Sequence, residues 1–274
     1  MSATRQYAQH LTAVAQSLLN PPVRSLVSSA RQLVTLVSTL HALDHIPGRD
    51  VVEAGVFEGG TTVLMARALR AAMTANGNPR EAYHHHHHPS VWACDSFQGL
   101  PRAQAEDKPN GSACGAEQGQ DRQRRSCLRG RMGWYRSPAS TVAQALEREG
   151  LQSRVRLVEG WFHESLPPEG LRDVAFLRLD GDTFNGTFES LTRLYPLLVR
   201  GGAVYVDDYG SFKGAKQAVD SFRSLGKIKS ELVRLYEPEG YYEAVLWCKG
   251  GVGENHSCHP SLMEALSLCG VLRV

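Results

Sequence analysis

Acidic residues placed in two closely spaced pairs carry the chemistry that this sequence offers. They are Asp180, Asp182, Asp207 and Asp208, and each pair directly follows a short apolar segment. Carboxylates that converge repel one another unless a positive charge lies between them, and ligands of this hardness favour Mg²⁺. A metal site is therefore expected. The alternative is that one pair caps a turn and that Asp182 caps a helix.

The elements that must position these acids are a strand, a helix and a second strand. Val174–Leu179 and Ala203–Val206 are apolar and short enough to be buried strands, and Thr187–Leu198 has apolar residues at helical spacing. Gly201 and Gly202 mark a stop before the second strand. Because such a unit is normally parallel and right-handed, both pairs of acids should emerge at one sheet edge, where open α/β folds bind ligands.

A glycine-rich turn follows an earlier strand, in the stretch VVEAGVFEGGTT that begins at Val51. Glycine at a strand-to-helix turn lets a ligand approach the backbone, and the next helix offers free N–H groups. The spacing E-x-G-x-x-x-G-G departs from the G-x-G-x-x-G of dinucleotide enzymes, which disfavours a NAD-dependent oxidoreductase. The E-x-G form is the one used by S-adenosylmethionine (SAM) methyltransferases. Packing of the glycines is the alternative explanation.

An acid and an aromatic pair follow two further predicted strands. Val91–Ala93 leads to Asp95, and an acid at this place holds ribose hydroxyls in nucleoside-binding α/β folds, although it could instead cap a turn. Arg154–Val158 leads to Trp161 and Phe162. Aromatic rings at a strand end can lie against a flat ring such as adenine, or they can pack in the core.

The other predicted elements complete one large α/β domain. They are helices at Ala30–Leu43, Ser140–Glu149 and Lys213–Leu225, and strands at Glu231–Tyr236 and Glu243–Cys248. The last two strands should pair antiparallel at the sheet edge, and the first helix should lead into the sheet and cover the site. We divide the chain into a loose N-terminal extension (1–28), a domain (29–249) with loop insertions at about 74–90 and 102–136, and a tail (250–274) with a small helix.

Composition limits the function further. The 274 residues are 42% hydrophobic and 21% charged, which is typical of one globular domain with a core. A net charge of +2 without a basic stripe gives no reason to expect nucleic acid, and no apolar run reaches the ~18 residues of a membrane span. The six cysteines lack a C-x-x-C pair, which favours free thiols over a disulfide framework, with a Cys114–Cys127 bridge left open.

Three segments have a plain reading and a functional alternative. The run His84–His88 and the basic stretch Arg122–Arg131 predict solvated loops, with metal binding and an acidic or RNA partner as alternatives. In the tail, His256, Cys258 and His259 could bind a metal but lack further ligands.

The N-terminal segment bears on location. Residues 1–43 contain arginine but no acidic residue, which is typical of an organelle transit peptide as well as of a basic, partly helical extension. A cytoplasmic protein is expected, with a mitochondrion or plastid as the alternative.

Taken together, five motifs between Arg31 and Lys249 resemble the macrocin O-methyltransferase family of the TylF/MycF type. They are VVEAGVFEGGTT, WACDSFQGLP, VEGWFHESLP, LRLDGDTFNGTFESLTRLYPLL and GGAVYVDDYGSFKGAKQAVDSFR. That family includes sugar O-methyltransferases of macrolide and aminocoumarin pathways. The resemblance implies the Rossmann-like class I SAM-dependent sheet, mostly parallel with an antiparallel edge strand.

The resemblance also implies roles for individual residues. Asp180, Asp207 and Asp208 would bind Mg²⁺, and Asp182 would be the general base. The residues expected to bind SAM are Glu53, Gly55, Val56, Gly59, Thr61, Thr62, Asp95, Ser96, Phe97, Gly160, Trp161 and Phe162. The expected reaction is Mg²⁺-assisted methylation of a hydroxyl on a sugar or another small molecule with vicinal hydroxyls. A catechol-type enzyme and a non-catalytic SAM-binding protein are the alternatives, and the resemblance allows a homodimer.

Overall fold

The computed structural model describes residues 2–20, 23–75, 88–107, 132–251 and 253–273. The strands are β1 (Asp50–Ala54), β2 (Val91–Asp95), β3 (Val155–Glu159), β4 (Val174–Leu179), β5 (Leu198–Val206), β6 (Val233–Tyr236) and β7 (Tyr242–Cys248). The helices within these ranges are α1 (Ala3–Leu18), α2 (Ser29–His45), α3 (Gly60–Ala75), α4 (Ala139–Arg148), α5 (Phe162–Ser165), α6 (Phe184–Leu194), α7 (Lys213–Leu225) and α8 (Pro260–Leu268). Short 3₁₀ turns occur at Gln152–Arg154 and Tyr195–Leu197.

The strands form a single seven-stranded sheet in the order β3-β2-β1-β4-β5-β7-β6. The five strands from β3 to β5 are parallel, whereas β7 runs antiparallel to both β5 and β6. This confirms the predicted class I sheet and the antiparallel edge pair. The strand order reverses between β1 and β4, and open α/β sheets bind ligands outside the carboxyl ends of the strands at such a switch point.

Helices cover both faces of the sheet, which explains why the central strands are mainly apolar on both faces, with buried exceptions such as Glu53 and Arg178. Neighbouring residues of β4 point to opposite faces, so Phe176 joins the core under α2 and α3 while Leu177 joins the core under α6 and α7. Both side chains have no exposed surface.

The strand β5 begins five residues earlier than predicted. Gly201 and Gly202 lie inside it rather than before it, because they exchange backbone hydrogen bonds with Lys249 (Gly201 N to Lys249 O and Lys249 N to Gly202 O, both 2.8 Å). The helix α6 is also displaced toward the N-terminus. Thr183 caps its first turn by accepting from the Gly186 N–H at 3.1 Å, and a 3₁₀ turn containing Pro196 follows its last residue.

The predicted loose extension is instead a packed helix. The side chains of Ala8, Leu11 and Ala15 on α1 are buried in the core, where α1 packs against α8 and α2. The small tail helix predicted from the sequence is α8, and its buried Leu262 and Leu266 belong to the same cluster. Both ends of the described chain therefore contribute to one core.

A disulfide corrects the prediction of free thiols. Cys248 at the end of β7 is bonded to Cys258 in the tail, with their Cα atoms 5.1 Å apart. Sequence spacing gave no sign of this pair because ten residues separate the cysteines and a turn brings them together. The thiol prediction is confirmed for Cys94 and Cys269. The suggested Cys114–Cys127 bridge lies outside the described residues.

Two other interpretations fall wholly or largely outside the described residues. These are the basic stretch Arg122–Arg131 and, apart from His88, the histidine run His84–His88. Among the helices that the structure describes, none combines the length and the apolar character needed to cross a membrane.

Candidate active site

A cavity of about 350 Å³ opens at the carboxyl ends of the central parallel strands. Eleven of the predicted site residues line it: Gly55, Val56, Thr61, Asp95, Ser96, Trp161, Phe162, Asp180, Asp182, Asp207 and Asp208. The other five predicted residues, Glu53, Gly59, Thr62, Phe97 and Gly160, do not line the cavity. The acid pairs, the glycine turn and the aromatic pair thus face one common space.

The acids converge because β4 and β5 are neighbours. Leu179 is paired with Val206 in the parallel register, so the residues that follow them, Asp180 and Asp207, emerge side by side. Oxygen atoms of Asp180, Asp207 and Asp208 all lie within 4.8 Å of one another. The side chains of Asp182 and Asp208 are neighbours, and their interaction raises the pKa of Asp208. We call these four residues the acid group.

Backbone strain is concentrated around this cavity. Asp182 (φ 53°) and Asp208 (φ 57°) adopt the left-handed conformation, as do Phe57 and Phe97 (both φ 55°) in the loops after β1 and β2. Such conformations are uncommon for residues other than glycine, and they occur preferentially at functional sites. The strain aims the side chains of the acid group inward from the strand ends.

A fully buried arginine on β4 lies beneath the acid group. Arg178 donates to Asp180 Oδ2 at 2.9 Å, to Glu53 Oε1 at 3.1 Å and to Asp207 Oδ2 at 3.4 Å. Its side chain has no exposed surface. The sequence analysis missed this residue, although a charged side chain inside an apolar strand is a signal that it must be paired.

A second arginine reaches the acid group from α2. Arg31 Nη1 donates to Asp207 Oδ1 at 2.7 Å, and its Nε lies 2.7 Å from Glu237 Oε1. Glu237 also accepts from the hydroxyl of Ser28, the N-cap residue of α2. These contacts hold the start of α2 over the site, so this helix covers the site as predicted.

The charges of the acid group are unevenly compensated. Burial opposes ionisation of Asp207, but Arg31 and Arg178 outweigh burial and lower its pKa. Burial raises the pKa of Asp180, and the charges of Asp207 and Asp208 raise it further against the opposing effect of Arg178. The pKa of Asp208 is raised by burial and by the neighbouring Asp182 and Asp207.

This surplus of negative charge is the observation against which a bound metal can be tested. Two arginines do not neutralise the carboxylates that converge here, and the donor set consists of oxygen atoms only. A hard divalent cation such as Mg²⁺ takes oxygen ligands and would lower the pKa values that mutual repulsion raises. The residues present therefore fit such an ion.

The glycine turn supports the packing explanation, because a side chain at Gly55 has no space, and Glu53 does not face the cavity. At Gly55, which has φ +95°, a side chain would lie 1.9 Å from the carbonyl oxygen of Asp180. Glu53 has no exposed surface and accepts hydrogen bonds from the hydroxyls of Thr61 and Thr62 and from Arg178. Its contacts hold the start of α3 against β4 beneath the turn.

Asp95 ties the first two strand ends together. Its Oδ2 accepts from the backbone N–H groups of Val56 at 2.7 Å and Phe57 at 3.2 Å, and its Oδ1 accepts from that of Phe97 at 2.8 Å. The backbone carbonyl of Asp95 accepts from Gly160 at 3.0 Å, which brings the aromatic turn beside it. Asp95 thus connects three loops of the cavity wall, two through its carboxylate and the third through its backbone carbonyl.

Two parts of the wall were not predicted. Residues 24–27 line the cavity, and the guanidinium of Arg24 lies 6.0 Å from the centre of the Phe57 ring. Asp107 Oδ1 accepts from the Phe184 N–H at 2.7 Å at the start of α6, and its Oδ2 accepts from Gln104. The only sequence signal for Asp107 is an acid in a polar loop, which does not identify a partner.

Comparison with protein families shows to which family the chain belongs. The model of the macrocin O-methyltransferase (TylF) family matches residues 25–244, which include every residue of the acid group. The chain belongs to the macrocin O-methyltransferase family. The resemblance of the five motifs is therefore confirmed.

Curated members of the macrocin O-methyltransferase family include similar chains. Demethyldecarbamoylnovobiocin O-methyltransferase from Streptomyces niveus is 33% identical over 73% of this chain and 66% of its own length. Mycinamicin III 3''-O-methyltransferase from Micromonospora griseorubida is 30% identical over 73% of this chain and 69% of its own. The match spans about two thirds of the length of these relatives.

The fold comparison agrees. The structure of the O-methyltransferase NovP has a TM-score of 0.62 at 25% identity and covers 90% of this chain and all of that chain. The calicheamicin methyltransferase CalS11, at 17% identity and a TM-score of 0.54, shares the fold over 90% of this chain and 92% of its own. The seven-stranded sheet is that of the class I SAM-dependent methyltransferases.

Proposed function

We propose that this protein transfers the methyl group of SAM to a hydroxyl of a sugar or of another small molecule with vicinal hydroxyls. One observation carries the proposal: the acid group and the glycine turn face the same cavity, in a chain of the macrocin O-methyltransferase family. A third curated relative, from Streptomyces olivaceus, supports a sugar acceptor, because its name describes 4'-O-methylation of a rhamnosyl-tetracenomycin.

The cofactor end of the cavity suits SAM. When bound, SAM supplies an electrophilic methyl group on a sulfonium. Gly55 lines the cavity and lets the turn pack directly against the backbone of Asp180, and Thr61 lines the cavity from the N-terminus of α3. Asp95 accepts three backbone hydrogen bonds, which leave about one lone pair of Oδ1 for a ribose hydroxyl, while Trp161 and Phe162 provide flat surfaces for adenine. Glu53 and Thr62 act from behind this wall by fixing α3.

Asp180, Asp207 and Asp208 are the proposed ligands of Mg²⁺. The bound ion would act as a Lewis acid that lowers the pKa of an acceptor hydroxyl. Arg178 and Arg31 hold the carboxylates of Asp180 and Asp207 at fixed positions through short hydrogen bonds. This arrangement reduces the reorganisation that ligand binding would otherwise require.

Asp182 is the proposed general base. It lies on the same strand end as Asp180, lines the cavity and is only partly buried, so an acceptor hydroxyl can reach its carboxylate oxygens. General-base assistance contributes roughly 10²–10⁴ in rate, and holding donor and acceptor at attack distance contributes about 7–11 kcal/mol. The chain's own task is therefore to orient two reactants and to remove one proton.

The test is methyl transfer from isotope-labelled SAM to a panel of sugars with vicinal hydroxyls, matched deoxy sugars and a catechol. We expect labelled products from the sugars with vicinal hydroxyls, and none from the matched deoxy sugars or the catechol. Turnover should be lost on adding EDTA and recovered on adding Mg²⁺. Calorimetry with SAM and with NAD accompanies the assay, and SAM alone should bind. Unchanged turnover in EDTA would remove the metal from the proposal. Binding of SAM without turnover of any acceptor would indicate a non-catalytic SAM-binding protein.

A further inference from the structure

Three histidines from opposite ends of the sequence meet outside the active site. His41 and His45 lie four residues apart on the last turns of α2, and His259 is the N-cap residue of α8. One ring nitrogen of each lies within 4.8 Å of the others. We call these residues the histidine cluster, and the sequence analysis considered only His259 among them.

The rings of the two helical histidines face the same way. Their centroids are 3.9 Å apart with an interplanar angle of 13°, and the ring of His259 lies 4.7 Å from that of His45. Histidines at positions i and i+4 of a helix present their nitrogens on one face, which is a recurrent arrangement in zinc sites. The cluster has this arrangement before any ion is considered.

All three rings also converge on a single hydroxyl. Ser261 Oγ lies 2.7 Å from His259 Nδ1, 3.1 Å from His41 Nε2 and 3.5 Å from His45 Nε2. Ligand atoms bound tetrahedrally to zinc at about 2.0–2.1 Å lie about 3.3 Å from one another. The distances from the hydroxyl to His41 Nε2 and His45 Nε2 bracket this value, so the hydroxyl lies as far from these two nitrogens as a fourth ligand would.

The hydrogen bonds of the cluster show which ring nitrogens could bind an ion. His45 Nδ1 lies 3.2 Å from the carbonyl oxygen of His41, to which only an N–H can donate, so Nε2 of the neutral ring bears a lone pair. His259 Nδ1 accepts from the backbone N–H of Ser261, which uses the lone pair of that nitrogen, so His259 would bind an ion through Nε2. A cation would replace the hydroxyl hydrogen of Ser261 as the partner of the His45 lone pair.

The outer hydrogen bond of His45 is of the kind found in metal sites. A neutral imidazole is the form that coordinates metals. The donation from His45 Nδ1 to a carbonyl is also the outer contact that metal-bound histidines usually make, because it fixes the ring and the tautomer.

We propose that His41, His45 and His259 bind one Zn²⁺ ion, with Ser261 or a water molecule as the fourth ligand. The site is structural. It would fasten the tail to α2 directly beside the Cys248–Cys258 disulfide, which fastens the preceding residue of the tail to β7. It also lies at the amino-terminal edge of the sheet, since Ala175 of β4 and Ala203 of β5 line the adjoining cavity. The ion is therefore separate from the acid group.

The experiment must first remove competing histidines. The parent protein carries serine in place of His84–His88, because such a run binds transition metals by itself, and all measurements contain excess Mg²⁺ to occupy the acid group. In this parent, His45→Ala and His259→Ala are compared with His10→Ala, which alters an exposed histidine of α1. Both test residues are exposed, so neither change removes a core side chain.

Zinc content after dialysis and titration against a competing chelator give the stoichiometry and the affinity, and Co²⁺ absorption reports tetrahedral nitrogen ligation. We expect one more bound equivalent in the parent and in His10→Ala than in either test variant. Affinity should fall at least 100-fold, since outer contacts alone account for about 10–100-fold. Zn²⁺ should raise the Tm of the parent but not of His259→Ala. Equal zinc content in parent and test variants, or Co²⁺ absorption that survives both changes, would overturn the proposal.

Discussion

The two ends of α2 carry two opposite kinds of polar cluster. At its start, Arg31 reaches into the acid group at the carboxyl edge of the sheet, whereas at its end His41 and His45 join the histidine cluster at the other edge. The acid group carries a surplus of negative charge, whereas the histidine cluster offers neutral nitrogen donors. Oxygen donors favour a hard ion and imidazoles a borderline one, so the two proposed sites at the ends of this helix would differ in metal preference.

The clusters should also respond to pH in opposite directions. Burial and neighbouring carboxylates raise the pKa of Asp180 and Asp208, so in metal-free protein these groups cost stability as the pH rises above their unfolded values. The pKa of His41 is lowered by burial, so this group costs stability as the pH falls below its unfolded value. Four substitutions test this comparison.

The largest expected effect is at the acid group. Asp182→Asn should lower kcat by roughly 10²–10⁴, because the amide cannot accept the proton of the acceptor. Calorimetry should show SAM and Mg²⁺ affinities close to those of the unchanged protein. Glu164→Gln, which removes an exposed carboxylate of α5, is the matched control.

The same measurement distinguishes the two acids of β4. If Asp182→Asn weakens Mg²⁺ binding while Asp180→Asn leaves it intact, the roles proposed for base and ligand are reversed. If both variants keep full kcat, neither carboxylate is the base.

Arg178→Met should be the most destabilising change. It leaves the buried Glu53 and the carboxylate of Asp180 without their cation, and breaking a buried pair in this way costs about 3–5 kcal/mol. Urea unfolding at neutral pH with EDTA measures the loss. Arg156→Met on the edge strand β3 removes an exposed arginine and should cost less than about 1 kcal/mol. Equal losses in both variants would show that the acid group does not depend on its buried cation.

His41→Gln should change how steeply the free energy of unfolding depends on pH. Below pH 6.5 the unfolded chain binds a proton that the buried ring, with a pKa of about 3, does not bind. The folded protein should therefore lose about 1.4 kcal/mol of stability per pH unit below this value from His41 alone, and none above it.

Unfolding free energies of metal-free protein between pH 7 and pH 5 give this slope. Glutamine does not titrate, so the variant should show a shallower dependence, while His10→Gln on the exposed side of α1 should keep the original one. An unchanged slope in His41→Gln would mean that His41 is protonated in the folded protein.

The smallest expected effect is a gain in stability rather than a loss. Asp208→Asn should stabilise metal-free protein at neutral pH by roughly 0.5–2 kcal/mol, because it removes a carboxylate that is repelled by Asp182 and Asp207. The Tm in EDTA should rise, and the rise in Tm that Mg²⁺ causes in the unchanged protein should disappear. A lower Tm in EDTA would show that the negative charge of Asp208 is already compensated.

Much of the scaffold follows from local patterns. The limits of β4 and α7 are those that the sequence predicts, because Asp173 and Asp180 bound the apolar run of β4 and Gly226 ends α7. The parallel pairing of β4 and β5 then brings Asp180 beside Asp207 without further information. One local prediction was wrong. Gly201 and Gly202 are typical of a turn, but their backbone hydrogen bonds to Lys249, directly after β7, make them part of β5.

The parts that could not be predicted depend on partners distant in sequence. Arg178 stands out in the sequence as a charged residue in an apolar run. The sequence does not show its three carboxylate partners, which lie on β1 and at the ends of β4 and β5. The histidine cluster joins α2 to a residue more than 200 positions later, and Cys248 finds Cys258 through a turn. Spacing motifs record neighbours along the chain, and these contacts are made between elements that only the folded topology brings together.

The packing of α1 against α8 has a consequence for synthesis on the ribosome. The helix α1 buries Leu11 and Ala15 against α8 and α2, although the ribosome makes α1 long before α8. Until translation of residues 260–268 is complete, that apolar stripe lacks part of its cover and is available to chaperones. A nascent chain that stalls before this point would carry a finished sheet and an exposed apolar stripe on α1.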